Sequence, residues 1–303
     1  MKIGFIGGGN MGSAMIGALV AGSVRPDEIL VFARSKNEAL RAKFGVRIAA
    51  SEKEVANGAD IVVIAVKPAS YESVLKEISQ AGKFNGADDF GVVNDKNSDD
   101  TKTRKFDASG LGSNLTVPRG ENASQPIFIT VAPNFSIQMV REVLGADAKV
   151  ARTMPNMPSL IGEGVTAVNF SSNFTADDRA AVMKILSYFG KSYELAEDKF
   201  AVFTAIAGSL PAYIFMFIEA LADGAVLEGL GREKAYAIVC EAVAGSAKMA
   251  TAALKEGKHP ARLKDEVCSP GGTTIEAVRV LENAKFRAAI IEAVSAATRK
   301  AGK

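Results

Sequence analysis

Gly7, Gly9 and Gly12 stand at G-x-G-x-x-G spacing in Gly7-Gly8-Gly9-Asn10-Met11-Gly12, directly after the apolar run Ile3-Gly4-Phe5-Ile6 and before a helical pattern. In that strand–loop–helix context the spacing implies dinucleotide binding. Gly7 permits a tight turn, Gly9 lets a pyrophosphate approach the backbone, and Gly12 lets the helix pack close to the strand. Free N–H groups at the helix start, around Asn10 and Met11, would face the phosphates. A purely structural glycine turn is the alternative reading.

Cofactor choice should be written where the second strand ends. An acid there would bind the ribose 2′-hydroxyl of NAD. Here the chain reads Ala33-Arg34-Ser35-Lys36, two cations and a hydroxyl, which suits the 2′-phosphate of NADP, with Arg34 the best bidentate partner. Simple solvated cations are the other reading of Arg34 and Lys36. Further along, Ala65-Val66-Lys67-Pro68 follows a buried apolar run at the edge where a nicotinamide ribose would pass. Lys67 is either a donor there or a solvated helix-start residue. Ala132-Pro133-Asn134 and Met154-Pro155-Asn156-Met157-Pro158 follow later strands and either wall the nicotinamide pocket or merely end those strands.

Near the C-terminus, Cys268-Ser269-Pro270-Gly271-Gly272-Thr273-Thr274 makes a tight turn that opens a helix, with Thr273 or Thr274 expected as its cap. Consecutive amides at such a start form an anion nest fit for a carboxylate. An ordinary helix-capping turn is the competing reading.

The elements that must position these residues follow from length and pattern. The chain has 303 residues, enough for about two domains. Hydrophobic residues make up 48% and charged residues 23%, and 36 basic against 34 acidic side chains leave a formal +2, which argues against nucleic-acid or membrane-surface partners. Two cysteines, Cys240 and Cys268, make no disulfide framework and show no metal-ligand spacing. His259 is the one histidine, which argues against a Ser–His–Asp hydrolase and any His-rich metal site. No secretory pattern precedes the first strand, and the uncharged stretch 200–218 is interrupted by Gly208-Ser209 and Pro211. A cytoplasmic protein with no membrane span is expected, that stretch being a buried helix of a large core or of a subunit interface.

Residues 1–196 alternate short apolar runs with helical patterns, predicting a doubly wound parallel sheet. From residue 197 to 303 long Ala-rich helical patterns take over, among them one continuous pattern over 201–227. Their apolar content is hard to cover in a small domain and favours a homodimer through this all-helical half. Residues 79–125 fit neither pattern. They are polar and Gly-rich, with formal glycosylation sequons at Asn114 and Asn122, and read as a flexible insertion at the sheet edge away from the ligand crevice.

Taken together, the glycine loop, Val66-Lys67-Pro68, Arg152-Thr153-Met154-Pro155-Asn156, Pro211-Ala212-Tyr213 and Leu263-Lys264-Asp265-Glu266-Val267-Cys268-Ser269-Pro270-Gly271-Gly272-Thr273-Thr274 resemble the pyrroline-5-carboxylate reductases, which make proline by reducing a cyclic imine with NAD(P)H. The resemblance implies a Rossmann domain joined to a helical domain that interlocks with a partner's, in a homodimer or a larger homo-oligomer, with the substrate between subunits. It implies that Ser269, Gly272, Thr273 and Thr274 hold the substrate carboxylate and ring nitrogen, Thr274 being the catalytic hydroxyl. By the same resemblance Glu197 lies close to substrate and nicotinamide, Asp265 supports the loop, and Ser51 takes the place of an Asn that contacts the cofactor. Leu210 and Pro133-Asn134 depart from the family pattern and bear on pocket size.

Two other readings share the glycine loop. A β-hydroxyacid dehydrogenase or imine reductase has the same two-domain plan, but the hydroxyacid enzymes need a lysine on the interdomain helix and residues 205–218 contain none. A non-enzymatic NADP-binding protein would follow if Leu210 and Pro133-Asn134 closed the substrate site.

Overall fold

The computed structural model describes residues 1–80, 125–133 and 135–302. Most of the expected insertion, both sequons and Asn134 lie outside those residues. The chain divides into two compact units, Met1–Phe203 and Thr204–Lys303.

The first unit is built on strands β1 (Ile3–Ile6), β2 (Ile29–Phe32), β3 (Arg47–Ile48), β4 (Ile61–Ile64), β5 (Ile127–Thr130), β6 (Lys149–Pro155), β7 (Gly164–Phe170) and β8 (Gly190–Glu194). Helices α1 (Asn10–Ala21), α2 (Asn37–Phe44), α3 (Glu52–Gly58), α4 (Tyr71–Ser79), α5 (Ile137–Leu144) and α6 (Ala176–Ser187) lie between them, and the short α7 (Phe200–Phe203) ends the unit. The strands form one sheet in the order β3-β2-β1-β4-β5-β6-β7-β8. The uninterrupted apolar strands are those covered on both faces, as a doubly wound sheet requires. Alternate residues enter opposite cores: Ile3, Phe5, Val31 and Val63 pack with Met15 and Ile16 of α1 and with α6. Ile6, Leu30, Val62 and Ile64 pack with α3, α4 and α5.

The sheet departs from the all-parallel expectation at one seam. β1 to β6 pair in parallel, but β6 and β7 run antiparallel, and β7 then pairs with β8 in parallel. Strand β8, Gly-Lys-Ser-Tyr-Glu, has no fully buried residue, so it carries little of the apolar signal by which a strand is read from sequence. Met154 and Pro155 belong to β6, and the turn expected there comes later, as a 3₁₀ segment over Met157–Ile161.

The second unit is helical: α8 (Leu210–Leu227), α9 (Arg232–Lys255), α10 (Pro260–Val267), α11 (Thr273–Asn283) and α12 (Phe286–Ala301). The helical pattern over 201–227 is broken next to Gly208-Ser209 by a π-helical turn over Thr204–Gly208, where Ser209 N donates to Thr204 O at 2.8 Å. By length and composition alone, Glu197–Leu227 and Arg232–Lys255 are long and apolar enough to cross a membrane.

Candidate active site

The order of strands reverses between β1 and β4, the switch point at which open α/β sheets bind ligands beyond the strands' carboxyl ends. The glycine loop leaves β1 at that edge. Gly7 has φ +109°, a left-handed conformation that favours glycine, and its N–H donates to Phe32 O at 2.8 Å. A Cβ on Gly12 would stand 2.3 Å from Gly7 O, so only glycine lets α1 close on the loop. A Cβ on Gly9 would meet no protein atom within 4 Å; the space above it is open to a ligand. Gly9 caps α1 without a side-chain hydrogen bond, and no acid lies in the first turn, so the amides at Asn10, Met11 and Gly12 keep their capacity for an anion. This cradle fits a pyrophosphate.

The turn after β2 is closed by Asn37, whose Oδ1 accepts from Ala33 N at 2.7 Å. Arg34, Ser35 and Lys36 are exposed at its tip. Glu38, the nearest acid in sequence, pairs with Arg41 rather than with Arg34 or Lys36. A cavity of about 590 Å³ beside the loop is lined by Gly8, Gly9, Asn10 and Lys36 and continues between α1 and α2 as far as Lys43 and Phe44. Lys36 therefore shares a cavity with the phosphate cradle, whereas Arg34 stands outside its lining. Ser51 is the N-cap of α3: its Oγ accepts from Glu54 N at 3.2 Å, while Glu54 Oε2 accepts from Ala50 N at 2.7 Å.

Ala65 and Val66 follow β4, exposed Lys67 precedes the 3₁₀ turn Pro68–Ser70, and buried Ala132 follows β5. The switch-point edge thus brings together the glycine loop and the loops after β4 and β5. Glu197 Oε1 accepts from Ile137 N at 3.0 Å and from Arg152 Nη1 at 2.7 Å. Arg152 also donates through Nη2 to Pro133 O at 2.7 Å, and its guanidinium stacks 4.6 Å from the Phe200 ring centroid. Glu197 is thereby bound into the architecture that holds the loop after β5. Asn37 and Arg152 are site residues that residue-type reasoning passed over. An Asn four residues past Ala33 is a usable turn signal, but nothing local pairs Arg152 with Glu197.

In the second unit, Gly271 turns the chain with φ +67° and Gly272 N donates to Ser269 O at 3.0 Å. The N-cap of α11 is Gly272, without a side-chain hydrogen bond, and not Thr273 or Thr274 as expected. The turn already supplies extended backbone at Gly272, which places Thr273 and Thr274 inside the first helical turn. Their hydroxyls are consequently not used as caps. Glu276, the acid of that turn, is drawn to Arg279 at 3.0–3.1 Å, so its charge is largely countered by the guanidinium. Asp265 is exposed on α10 and pairs with Lys264 at 2.6 Å.

A family profile described as pyrroline-5-carboxylate reductase dimerisation matches residues 197–303, and one described as NADP oxidoreductase, coenzyme F420-dependent, matches residues 2–85. The pyrroline-5-carboxylate reductase of Escherichia coli is 41% identical over 305 residues, covering 100% of this chain and 97% of its own. The chain belongs to the pyrroline-5-carboxylate reductase family. Among solved structures, the pyrroline-5-carboxylate reductase of Coxiella burnetii superimposes with a TM-score of 0.79 at 29% identity, covering 99% of this chain and 97% of its own. The Plasmodium falciparum pyrroline carboxylate reductase, solved with NADP bound, superimposes with a TM-score of 0.77 at 28% identity and the same coverage.

Membership in the pyrroline-5-carboxylate reductase family gives the second unit's surface a meaning. Among its described residues every buried side chain is an alanine: Ala205, Ala207, Ala222, Ala235 and Ala253. Its large apolar side chains stand open instead, with Met216 at 68%, Leu227 at 83% and Ile291 at 67% exposure. The helical stretch Glu197–Leu227 is thus not the buried core of a single chain, since only 17% of its apolar window is covered. Each large side chain removed from water would contribute about 1.5–3 kcal/mol, and a dimerisation region is where that contribution is made.

Proposed function

We propose that this protein reduces the C=N bond of 1-pyrroline-5-carboxylate to L-proline with NADPH, the closing step of proline biosynthesis, working in the cytoplasm as a homodimer or a larger assembly of dimers. The observation that carries the reading is full-length identity of 41% to an enzyme of that name. The open, acid-free N-terminus of α1 supports the cofactor side of it.

The cofactor, when bound, supplies a hydride equivalent to the imine carbon. Gly7, Gly9, Asn10, Met11 and Gly12 hold its pyrophosphate, and Arg34, Ser35 and Lys36 hold the 2′-phosphate, so that NADPH is preferred over NADH. Ser51, Ala65, Val66, Lys67, Pro68 and Ala132 border the rest of the dinucleotide. The Ser269–Thr274 turn anchors the substrate carboxylate on its amides, while the Thr274 hydroxyl donates to the ring nitrogen. Asp265 supports that turn, and Glu197 orders the loop after β5 toward the substrate. A cyclic imine can arrive already protonated, so the residues need only orient it and secure its nitrogen; no strong side-chain acid is required.

An initial-rate assay of the purified protein tests this reading: oxidation of NADPH dependent on pyrroline-5-carboxylate, with proline as product. A protein that binds NADPH but leaves pyrroline-5-carboxylate unreduced would refute it.

A further inference from the structure

Tyr71 opens α4 with its ring fully buried, at 0% exposure, among the apolar side chains Val74, Leu75 and Ile78 of its own helix. Phenylalanine or leucine would fill such a site without a polar atom to satisfy, so the hydroxyl needs its own explanation. Its Oη donates to the carbonyl of Ile64, the last residue of β4, at 3.3 Å. Across from Ile64, Thr130 Oγ1 is buried and has no hydrogen-bond partner among the described residues. Ile64 and Thr130 face each other in the β4–β5 ladder and are its last rung. From that rung the chain leaves the sheet on one side into Ala65-Val66-Lys67-Pro68 and on the other into Val131-Ala132-Pro133. The ring itself stacks on Phe135, with centroids 4.4 Å apart and planes 30° from parallel.

We propose that Tyr71 is a positioning residue for the nicotinamide end of the cofactor: its hydroxyl holds the end of β4, its ring holds Phe135 beyond β5, and together they set the spacing of the two loops that border the nicotinamide. The inference rests on the reading that these loops hold NADPH. The β4–β5 ladder ends at this rung, and the Tyr71 side chain continues the connection, through its hydroxyl on one side and its ring on the other. A misplacement of either loop would tilt the nicotinamide ring without removing any group that binds the phosphates. Tyr71 therefore acts on hydride transfer and on the order of that ring, and hardly on cofactor affinity. Burial pushes the phenol's pKa well above its ordinary value, so the hydroxyl keeps its proton throughout the working range and adds no inflection to a pH profile.

Tyr71→Phe removes the hydroxyl and keeps the ring and its stack on Phe135. Three readouts apply to the full-length dimer: NADPH affinity, fluorescence of the bound nicotinamide, and kcat with NADPH and pyrroline-5-carboxylate. The expected result is an affinity near wild type, a shortened fluorescence lifetime of the bound ring, and a kcat lowered about tenfold with an unchanged pH profile. Phe135→Leu removes the stack and leaves the phenol on Ile64; it should show the same split, and it decides the matter if Tyr71→Phe fails to fold. Wild-type fluorescence together with a kcat within about twofold of wild type in a folded variant would overturn the proposal. A wild-type protein that binds NADPH but does not turn over pyrroline-5-carboxylate would instead refute the function, and the fluorescence comparison would still judge the phenol.

Discussion

Arg152 Nη1 donates to Glu197 Oε1 at 2.7 Å, and that same carboxylate oxygen accepts the N–H of Ile137, the first residue of α5. With Arg152 Nη2 on the carbonyl of Pro133, one ion pair ties β6, the loop after β5 and the start of α5 together. Arg152's side chain is 12% exposed and Glu197's 32%, so the pair is only partly screened by water. Glu197→Ala leaves the guanidinium half-desolvated with one partner lost. It should lower stability by about 1.5–3 kcal/mol, and Glu197→Gln, which retains an acceptor for Ile137, by less. Urea unfolding of the two variants checks the order; a Glu197→Gln variant as stable as wild type would show that the charge contributes nothing.

Gly9 and Gly12 should separate binding from folding. Gly12→Ala places a methyl 2.3 Å from Gly7 O and should destabilise the protein even without cofactor. Gly9→Ala meets no protein atom, so thermal unfolding of the cofactor-free protein should be unchanged while NADPH affinity falls. Equal behaviour of the two variants in calorimetry and NADPH titration would contradict the reading of the open space above Gly9.

The exposed cations after β2 give a third expectation. Arg34→Asp should raise KM for NADPH by the equivalent of about 1.5–3 kcal/mol, roughly ten- to a hundredfold, and leave kcat at saturation unchanged. Lys36→Ala tests whether the cation that shares the cavity with the glycine loop contributes as much. A wild-type protein that binds NADH more tightly than NADPH would overturn the assignment.

Asp178 should make stability fall in acid. Burial raises its pKa, but the Lys149 ammonium at 2.6 Å and the N–H and hydroxyl of Thr175 more than offset this and hold the carboxyl below its ordinary value of 3.8. A depressed folded-state pKa means the stabilisation is complete above about pH 4 and is lost as pH falls through the lower folded value. Asp178→Asn should therefore be less stable than wild type at neutral pH, and the gap should close in acid. A gap that is constant from pH 7 to pH 2 would show that the ion pair is not its source.

Much of this architecture is legible in the residues themselves, for identifiable reasons. The runs at Ile29–Phe32 and Ile61–Ile64 are apolar on both faces because helices cover both, and the glycine spacing reports a steric need that no other residue meets. Strand β8 is nearly silent because it is half-buried and polar, and no periodicity distinguishes the antiparallel β6–β7 seam from a parallel one. The caps of α3 and α11 involve choices between neighbours, Ser51 used and Thr273 not, that backbone geometry decides. Arg152 and Glu197 lie 45 residues apart, and Tyr71 reads as one more apolar helix residue until its hydroxyl is seen at the end of β4.

In the proposed reaction a hydride passes to the imine carbon of pyrroline-5-carboxylate while Thr274 holds its nitrogen, and a single turnover with NADPH deuterated at the transferred position, followed as label in proline, tests both. Wild type should place deuterium at Cδ of proline. Thr274→Ala should slow its appearance by one to three orders of magnitude, roughly the loss expected for a donor that strengthens in the transition state, and Thr274→Ser should recover most of the rate. Proline without label, or label appearing in Thr274→Ala as fast as in wild type, would contradict the account.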